Sequence, residues 1–394
     1  MPTATALLFL VLPGTFTVDD DGPADFVQIA DAVAAAQPGD VLLIHPGSYL
    51  PFALDKELSL LGQPGGARPQ VAGTSTVTGA AGFALMRLAF ERLEVSQVAQ
   101  RGRIDDCTIG PPGAALPAEP VLDVELCAEL LITRTSCQGL YGTAGDGGNA
   151  VGVRDSVVCL TDSSVQGGNC DSSFDSGGAG LLAWTSTLTL GGTSVVGGYG
   201  GPGTFGPGGP GGNALQLTDC SADLRGGSGD VVTGGWADVG SLYGLAVHAN
   251  NSLVSWSGLL MGSMATQGTG AVYELSPPRP YLLVRGLDGP GQVRRILVYG
   301  TPGHLVLVAV GTGTAPFAGP APGGWPESIW LDPVQLLSLT PLVANGQDVA
   351  ASLDLPMPAA PGLEGTAVVA QALVLGPDFA DASVTNPGNA IQTW

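Results

Sequence analysis

The chain has 394 residues, of which 44% are hydrophobic and only 12% charged, and it contains 62 glycines and 31 prolines. This hydrophobic share excludes a disordered chain, and 34 acidic against 13 basic residues, a formal charge of -21, argue against nucleic-acid binding because phosphates attract basic clusters. The longest apolar run, Ala6 to Leu12, is far shorter than the roughly 20 residues of a transmembrane helix, so we expect no integral membrane protein.

The N-terminal segment, residues 1–14, contains an apolar run followed by Pro13 and Gly14, as in the core of a secretory signal. No Lys or Arg precedes the run, and no Ala-x-Ala cleavage site follows it. We expect a signal segment here and a protein that is secreted or held at the cell surface. The alternative is that Ala6 to Leu12 forms a buried first strand.

A short capping helix is predicted over Phe26 to Ala36. Asp25 is a suitable N-cap residue, and Gln28 follows it at the spacing of a capping box. The apolar side chains form one stripe: Phe26, Ile29, Ala30 and Val33. A helix of this kind would cover the exposed first coil of a repeat fold.

A repeat of about 30 residues determines the predicted fold. Five segments of one pattern recur at spacings of 29, 30, 34 and 30 residues, namely Val121–Glu125, Ala150–Arg154, Gly180–Trp184, Ala214–Thr218 and Gly244–His248. Apolar and polar residues alternate within each segment, which predicts a strand with one buried face. Two more short strands and a glycine-rich loop follow in most units, and such units must stack to close a core. The sequence thus predicts an all-β fold, a right-handed parallel β-helix over residues 15–268.

The six cysteines lie within one central stretch, and none has the spacing of a zinc site: Cys107, Cys127, Cys137, Cys159, Cys170 and Cys220. An even number of cysteines in an exported chain predicts disulfides, although the pairing stays open among 15 connectivities. Buried free thiols are the alternative.

A second domain is predicted over residues 269–394. The proline-rich segment Ser276 to Pro280 marks a break, and strand-like runs follow it from Tyr281 to Leu375. These runs and the Asn345-Gly346 turn favour an antiparallel β-sandwich.

The opening stretch Asp25 to Tyr49, followed by Leu58 to Gly62, resembles that of the pectin-lyase-like parallel β-helix superfamily, and the coils behind it are similar to secreted bacterial β-helix repeat proteins. This resemblance implies the fold and export. Because the superfamily holds lyases, hydrolases, esterases and non-catalytic surface proteins, it does not fix the function. Of the polygalacturonase-like motifs only Asp105-Asp106 occurs, neither methylesterase-like motif occurs, and the sole lysine, Lys56, lies in an early coil.

Catalytic candidates come from the strand that carries Arg101, Arg103, Asp105 and Asp106. A lyase of this fold would use an aspartate to bind calcium and Arg103 to abstract a proton. The alternative is an exposed, ion-paired strand face.

The repeat alignment supplies candidate ligand-binding residues, because its last positions point outward on five successive coils: Glu125, Arg154, Trp184, Thr218 and His248. Such a column suits an extended glycan. Its alternative is a solvated strip in which Glu125 pairs with Arg154 and Trp184 packs under a loop.

The glycine-rich loops add aromatic residues, chiefly Tyr141, Tyr199 and Trp236, and several aspartates. Aromatic residues on adaptable loops are typical of recognition surfaces. The alternative is that each ring covers its own loop. No cofactor is expected, although the aspartates leave weak calcium binding possible, and the metal content is otherwise unknown.

We therefore expect an exported, non-catalytic surface or adhesion protein that binds polysaccharide or cell-surface glycan weakly along its coil face. The first alternative is a polysaccharide lyase or glycoside hydrolase of the pectin-lyase-like fold. The second is a purely structural component of a cell envelope or fibre.

Overall fold

The computed structural model describes most of the chain. The described residues are 14–110, 119–142, 145–171, 174–202, 208–227, 230–237, 241–275, 280–286, 293–299, 303–311, 336–343, 351–356, 367–375, 382–385 and 388–391. All of the predicted signal segment except Gly14 lies outside them.

The chain begins with less regular coils and a short helix. They comprise β1 (Thr15–Val18), α1 (Ile29–Ala35), β2 (Val41–Ile44), β3 (Ser48–Tyr49), β4 (Ala53–Leu54), β5 (Ser59–Gly62), β6 (Gln70–Thr78), β7 (Gly82–Met86), β8 (Ala89–Ser96), β9 (Arg101–Asp105) and β10 (Thr108–Ile109).

Five regular coils follow with three short strands in each, and β26 and β27 form a last coil. They comprise β11 (Leu122–Glu125), β12 (Leu130–Thr133), β13 (Ser136–Gln138), β14 (Val151–Arg154), β15 (Val157–Thr161), β16 (Ser164–Gln166), β17 (Leu181–Trp184), β18 (Thr187–Gly191), β19 (Ser194–Val196), β20 (Leu215–Thr218), β21 (Ser221–Arg225), β22 (Val231–Thr233), β23 (Val247–Asn250), β24 (Leu253–Ser257), β25 (Leu260–Met261), β26 (Met264–Gln267) and β27 (Ala271–Glu274).

The strands of successive coils pair in parallel and form three faces. The side face runs β1-β2-β5-β7-β9-β12-β15-β18-β21-β24-β27. The front face runs from the second half of β8 through β11, β14, β17, β20 and β23 to β26, and the back face runs from the first half of β8 through β10, β13, β16, β19 and β22 to β25. This pairing confirms a parallel β-helix, whereas its right-handed sense stays a prediction.

One continuous apolar core fills the coil from Val18 to Leu259. The inward side chains of the front face stack in register, as Val151 on Leu181 and Leu181 on Leu215 show. Each coil thus buries its apolar side chains against its neighbours rather than within itself, as the repeat length predicted.

A single left-handed residue turns the chain from the front face to the side face in successive coils. These residues are Gln97, Leu126, Asp155, Thr185, Asp219 and Asn251, with φ between 47° and 55°. Each donates its N–H to the carbonyl of the neighbouring coil, for example Leu126 to Arg154 at 3.0 Å and Asp155 to Trp184 at 3.1 Å. The bends therefore stack as regularly as the strands do.

The cysteines are buried free thiols, so the predicted disulfides are absent from the part of the chain that carries all six. After three of the front-to-side bends a buried serine hydroxyl, that of Ser156, Ser186 or Ser252, accepts the N–H of the equivalent residue in the preceding coil. Ser156 Oγ accepts the N–H of Cys127 at 2.9 Å, and Ser252 Oγ accepts that of Cys220 at 3.0 Å. Cys127 and Cys220 therefore take positions that serine takes in other coils.

The capping helix begins at Ile29 rather than at Phe26. The predicted capping box is wrong because both of its side chains bind elsewhere: Asp25 accepts the N–H and hydroxyl of Thr17, and Gln28 accepts the N–H of Leu50. Ile29, Ala32 and Val33 are buried against the first coil, as a cap requires.

The C-terminal domain consists of small antiparallel sheets. Its strands are β28 (Tyr281–Gly286), β29 (Val293–Tyr299), β30 (Leu305–Gly311), β31 (Leu336–Val343), β32 (Ala351–Pro356), β33 (Ala367–Leu375), β34 (Ala382–Val384) and β35 (Gly388–Ile391). One sheet has the order β28-β29-β32, the other β31-β30-β33-β34 with β35 beside β33, and both contribute to one apolar core. The predicted boundary at residue 268 falls inside the last coil, because β27 still pairs with β24.

The C-terminal domain lies against the side face of the β-helix. Arg285 forms a bidentate ion pair with Asp162 at 2.8 and 3.0 Å, and Arg225 donates to the carbonyl of Pro280 at 3.1 Å. This contact covers part of the side face and leaves the front-face residues Arg154 and Glu125 half exposed.

Candidate functional site

The front face carries the predicted outward column. Glu125 pairs with Arg154, Arg154 with Trp184, and Trp184 with Thr218, each one coil apart. The structure therefore brings four of the five predicted residues into one register, and each is partly exposed.

The fifth position differs from the sequence alignment. Asn250, not His248, follows Thr218, and His248 lies beside Gln216 in the neighbouring outward row. The loop before this coil is longer than the alignment assumed, which moves the strand by two residues. His248 still faces outward on the front face, but it is not part of the column.

The side chains of this column are engaged with one another. Arg154 Nη1 lies 3.5 Å from Glu125 Oε1, and its guanidinium carbon lies 5.6 Å from the centre of the Trp184 ring. An exposed ion pair and a cation–π contact each contribute about 1 kcal/mol or less. The side chains of this column therefore bind one another, and the guanidinium of Arg154 covers one face of the Trp184 ring.

The glycine-rich loops connect the back face to the front face. In each loop we distinguish the outgoing leg, which leaves the back face, from the returning leg, which enters the front face, and hydrogen bonds between glycines join the two. We call this arrangement the glycine spine: residues 139–140, 167–168, 197–198 and 234–235 on the outgoing legs, and 147–148, 177–178, 211–212 and 244 on the returning legs. Its N–H to O bonds zigzag between the legs: Gly148 to Leu140 at 2.8 Å, Gly168 to Gly148 at 2.7 Å, Gly178 to Gly168 at 2.8 Å, Gly198 to Gly178 at 2.8 Å, Gly212 to Gly198 at 2.9 Å, Gly235 to Gly212 at 2.7 Å and Gly244 to Gly235 at 3.0 Å.

The spine requires glycine because the legs approach backbone to backbone. A Cβ on Gly198 would lie 1.9 Å from the carbonyl oxygen of Gly168, and one on Gly178 would lie 2.0 Å from that of Gly148. No side chain fits at such distances. The loops are thus held by regular hydrogen bonds where they leave the coil, which the sequence did not indicate.

Beyond the spine, one residue per coil forms what we call the tip column: Tyr141, Asn169, Tyr199 and Trp236. Backbone bonds fix its register, because Gly142 N–H donates to Asn169 O at 2.8 Å, Cys170 N–H to Tyr199 O at 3.1 Å, and Gly200 N–H to Trp236 O at 2.9 Å. The structure therefore brings together the three predicted loop aromatics, Tyr141, Tyr199 and Trp236. Asn169 is the member that the sequence analysis missed.

The rings at the far end of the tip column are exposed. Trp236 is 65% exposed and Tyr199 44% exposed, so neither covers its own loop. Tyr243, also 65% exposed, meets Trp236 edge to face at a centroid distance of 6.1 Å. Tyr141 is half-buried, and its hydroxyl bonds to the Asp171 carboxylate, which raises the pKa of Tyr141.

The predicted catalytic residues lie on the side face. Asp105 is fully buried and forms a bidentate pair with Arg134 at 2.6 and 2.9 Å, while Asp106 pairs with Arg68 and Arg87. Desolvation, with the like charge of Arg101 beside it, lowers the pKa of Arg103 to about 10. The two carboxylates are thus committed to arginines, as in the alternative of an ion-paired strand.

A group of acidic side chains that could bind a metal lies beside the first coil, directly after β1. The carboxylates of Asp19, Asp20 and Asp21 lie within 4.8 Å of one another, and among the described residues this is the one such group of metal-binding side chains. Loop aspartates have other partners: Asp146 accepts the N–H of Ser176 at 2.6 Å, and Asp230 that of Gly227 at 2.7 Å. Calcium binding stays a prediction.

Solved structures align with most of this chain at low sequence identity. No protein-family model matches the sequence, and no curated protein matches it. Among solved structures, the enzymatically active domain of bacteriophage CBA120 tailspike protein 2 aligns at 11% identity over 90% of this chain and 72% of that chain, with a TM-score of 0.29. Full-length tailspike protein 2 from the Escherichia coli O157:H7 bacteriophage CAB120 aligns at 10% identity over 87% and 64%, with a TM-score of 0.27.

A third solved structure, ORF18 of Geobacillus virus E2, aligns at 12% identity over 84% of this chain and 75% of that chain, with a TM-score of 0.15. All three TM-scores lie below 0.5. The parallel β-helix is therefore identified from the strand pairing described above. Membership of the pectin-lyase-like superfamily stays a prediction. Within the described residues, no helix is long and apolar enough to span a membrane.

Proposed function

We propose that this chain is an exported surface or adhesion protein that binds polysaccharide through the tip column. The observation that carries the proposal is the exposure of Tyr199 and Trp236 on adjacent coils in one backbone register. Neighbouring strands lie about 4.8 Å apart, so a chain lying along the stack meets one side chain per coil. Sugar rings present flat apolar faces, and exposed aromatic rings bind such faces with little loss of side-chain entropy.

The glycine spine supports this role because it holds the tips before a ligand arrives. Binding to a preformed surface loses less free energy to ordering than binding to a free loop does. From the sequence we expected the ligand mainly on the front face, but there the guanidinium of Arg154 lies over the Trp184 ring. We therefore place the principal contact on the tip column and a secondary one on the front face.

A role without catalysis is part of the proposal. It is supported by the commitment of Asp105 and Asp106 to arginines, because a calcium-dependent lyase needs free carboxylates. Export is supported by the apolar run before Pro13.

The test is a binding measurement on defined oligosaccharides with matched aromatic variants. We expect Trp236→Ala to weaken binding about tenfold, the effect of losing about 1.4 kcal/mol of ring stacking. Tyr273→Ala is the control, because Tyr273 is 41% exposed on the last strand of the side face, away from the tips. Equal losses in both variants, or none in either, would remove the proposal.

The same samples separate a binding protein from an enzyme. A hydrolase releases reducing ends and a lyase releases an unsaturated, ultraviolet-absorbing sugar. We expect neither product after prolonged incubation. Product whose release is abolished by Arg103→Ala would instead favour the lyase alternative.

A further inference from the structure

We infer that the tip column selects a cationic polysaccharide, a polymer of amino sugars whose amino groups are free. This inference rests on the proposed function and specifies the ligand of the same surface. It follows from the charges of the loops, which are independent of the exposure of the rings.

The loops carry negative charge and no positive charge. Residues 139–148, 167–178, 197–212 and 234–244 contain four aspartates, Asp146, Asp171, Asp175 and Asp238, and no lysine or arginine. The chain as a whole has a formal charge of -21. An acidic polysaccharide approaching the tips therefore meets repulsion from the loops and from the whole molecule, whereas a cationic one is attracted.

Two of these carboxylates lie beside the tip column. Asp171 is exposed, and its N–H donates to the carbonyl of Gly142, the residue after Tyr141 in the column, at 3.2 Å. Asp146 is exposed on the same loop as Tyr141, and its Oδ1 fixes the N–H of Ser176 on the next loop at 2.6 Å. The column thus presents carboxylates at one end and the exposed rings of Tyr199 and Trp236 at the other.

Both kinds of group bind ammonium. A carboxylate accepts charge-assisted hydrogen bonds from it, and an aromatic face attracts a cation placed over it. Arg154 on the front face does not offset this preference, because it is paired with Glu125 and lies against Trp184. A free amino group on each sugar therefore gains from the carboxylates as well as from the rings.

The test compares oligosaccharides of one backbone and one length that differ only in charge. We expect a glucosamine hexamer to bind the full chain at least tenfold more tightly than the N-acetylglucosamine hexamer, and the difference to shrink at high salt. Polygalacturonate should bind more weakly than either. Asp171→Asn should reduce the preference about threefold, because the amide carries no charge.

Each outcome decides one of the two claims. If the N-acetylated hexamer or polygalacturonate binds as tightly as the glucosamine hexamer, and Trp236→Ala weakens that binding, the cationic preference is wrong and the binding function stands. If Trp236→Ala has no effect on any oligosaccharide, the proposed function itself fails. An oligolysine that competes as well as the glucosamine hexamer would show that the surface accepts any polycation, which overturns the assignment to amino sugars.

Discussion

The guanidinium of Arg154 lies over the ring of Trp184 on the next coil, at 5.6 Å from its centre, while the same group pairs with Glu125 on the coil before. One arginine thus joins three coils on the front face. The face of the ring that the guanidinium covers is not open to a sugar.

We therefore expect Trp184→Ala to weaken glycan binding less than twofold, well below the loss for Trp236→Ala. Calorimetric titration of the two variants against one oligosaccharide measures the difference. The same titration on Arg154→Ala, which uncovers Trp184, should show unchanged or tighter binding, and a large loss there would place the ligand on the front face.

The glycine spine predicts strong intolerance to a single methyl group. Gly198→Ala places its Cβ against the backbone of Gly168, so we expect a loss of about 3 kcal/mol or more in the free energy of unfolding. Gly65→Ala is the matched control: its φ is 81°, but no atom lies within 4 Å of the added carbon, so about 1 kcal/mol should be lost. Urea denaturation of both variants measures the two losses. Equal losses would mean that the backbone of the glycine spine shifts to make room for the methyl group.

The buried pair of Asp105 and Arg134 should matter for stability rather than for binding. Asp105→Ala leaves the guanidinium of Arg134, only 14% exposed, without its carboxylate, so we expect a loss of about 3–5 kcal/mol. Glu125→Ala breaks the half-exposed pair on the front face and should change stability by less than about 1 kcal/mol. Denaturation midpoints with glycan affinity measured in parallel distinguish the two, and intact stability in Asp105→Ala would contradict the burial.

The thiols should be unreactive in the folded protein. Burial raises the pKa of Cys107, Cys137 and Cys159 to about 12, and the thiolate is the reactive form. At pH 8 we expect these three to resist alkylation until the chain unfolds, and reactivity to rise only toward pH 12. Mass spectrometry without reductant should then find six alkylated cysteines after unfolding, and any missing pair would reveal a disulfide.

We expect serine in place of cysteine to preserve stability at the positions after the front-to-side bends but not in the apolar core. Cys127→Ser puts a hydroxyl where Ser156 and Ser186 already bond in neighbouring coils, so stability should change by less than about 1 kcal/mol. Cys137→Ser puts a hydroxyl into the apolar core of the coil, which should lower stability by about 1–3 kcal/mol. Thermal denaturation of the two variants compares these positions.

The period-two pattern of the strands predicted which side chains face inward but not how far one strand is shifted against the next. In the coil that contains β23, Leu245 and Val247 have the spacing of two inward-facing residues, and so do Val247 and Ala249. The sequence pattern is therefore compatible with either register. A shift of one residue would turn every side chain to the other face, whereas a shift of two leaves each on the same face. The sequence therefore placed His248 correctly on the outside and wrongly in the column.

The glycine spine was beyond sequence reasoning for a different reason. Glycine has no side chain, so a Gly-Gly pair carries no periodicity, and loops with many glycines are usually flexible. The partner of Gly198 is Gly178 on the preceding returning leg, and only the stacking of coils brings the two together. The same holds for Asp105, whose partner Arg134 lies one coil further along the chain.

In the glycine spine, the atoms that hold the loops in place are main-chain atoms, whereas the side chains of the tip column are the groups that a ligand would contact. Its bonds run between main-chain atoms, and of the tip residues Asn169 adds a side-chain bond, because its Oδ1 accepts the N–H of Tyr199 at 2.9 Å. Positions 141, 199 and 236 can accordingly be randomised together while Asn169 is kept, as the loops of an antibody vary on a constant framework. The coil then becomes a scaffold on which one can select new linear recognition surfaces, one residue per coil.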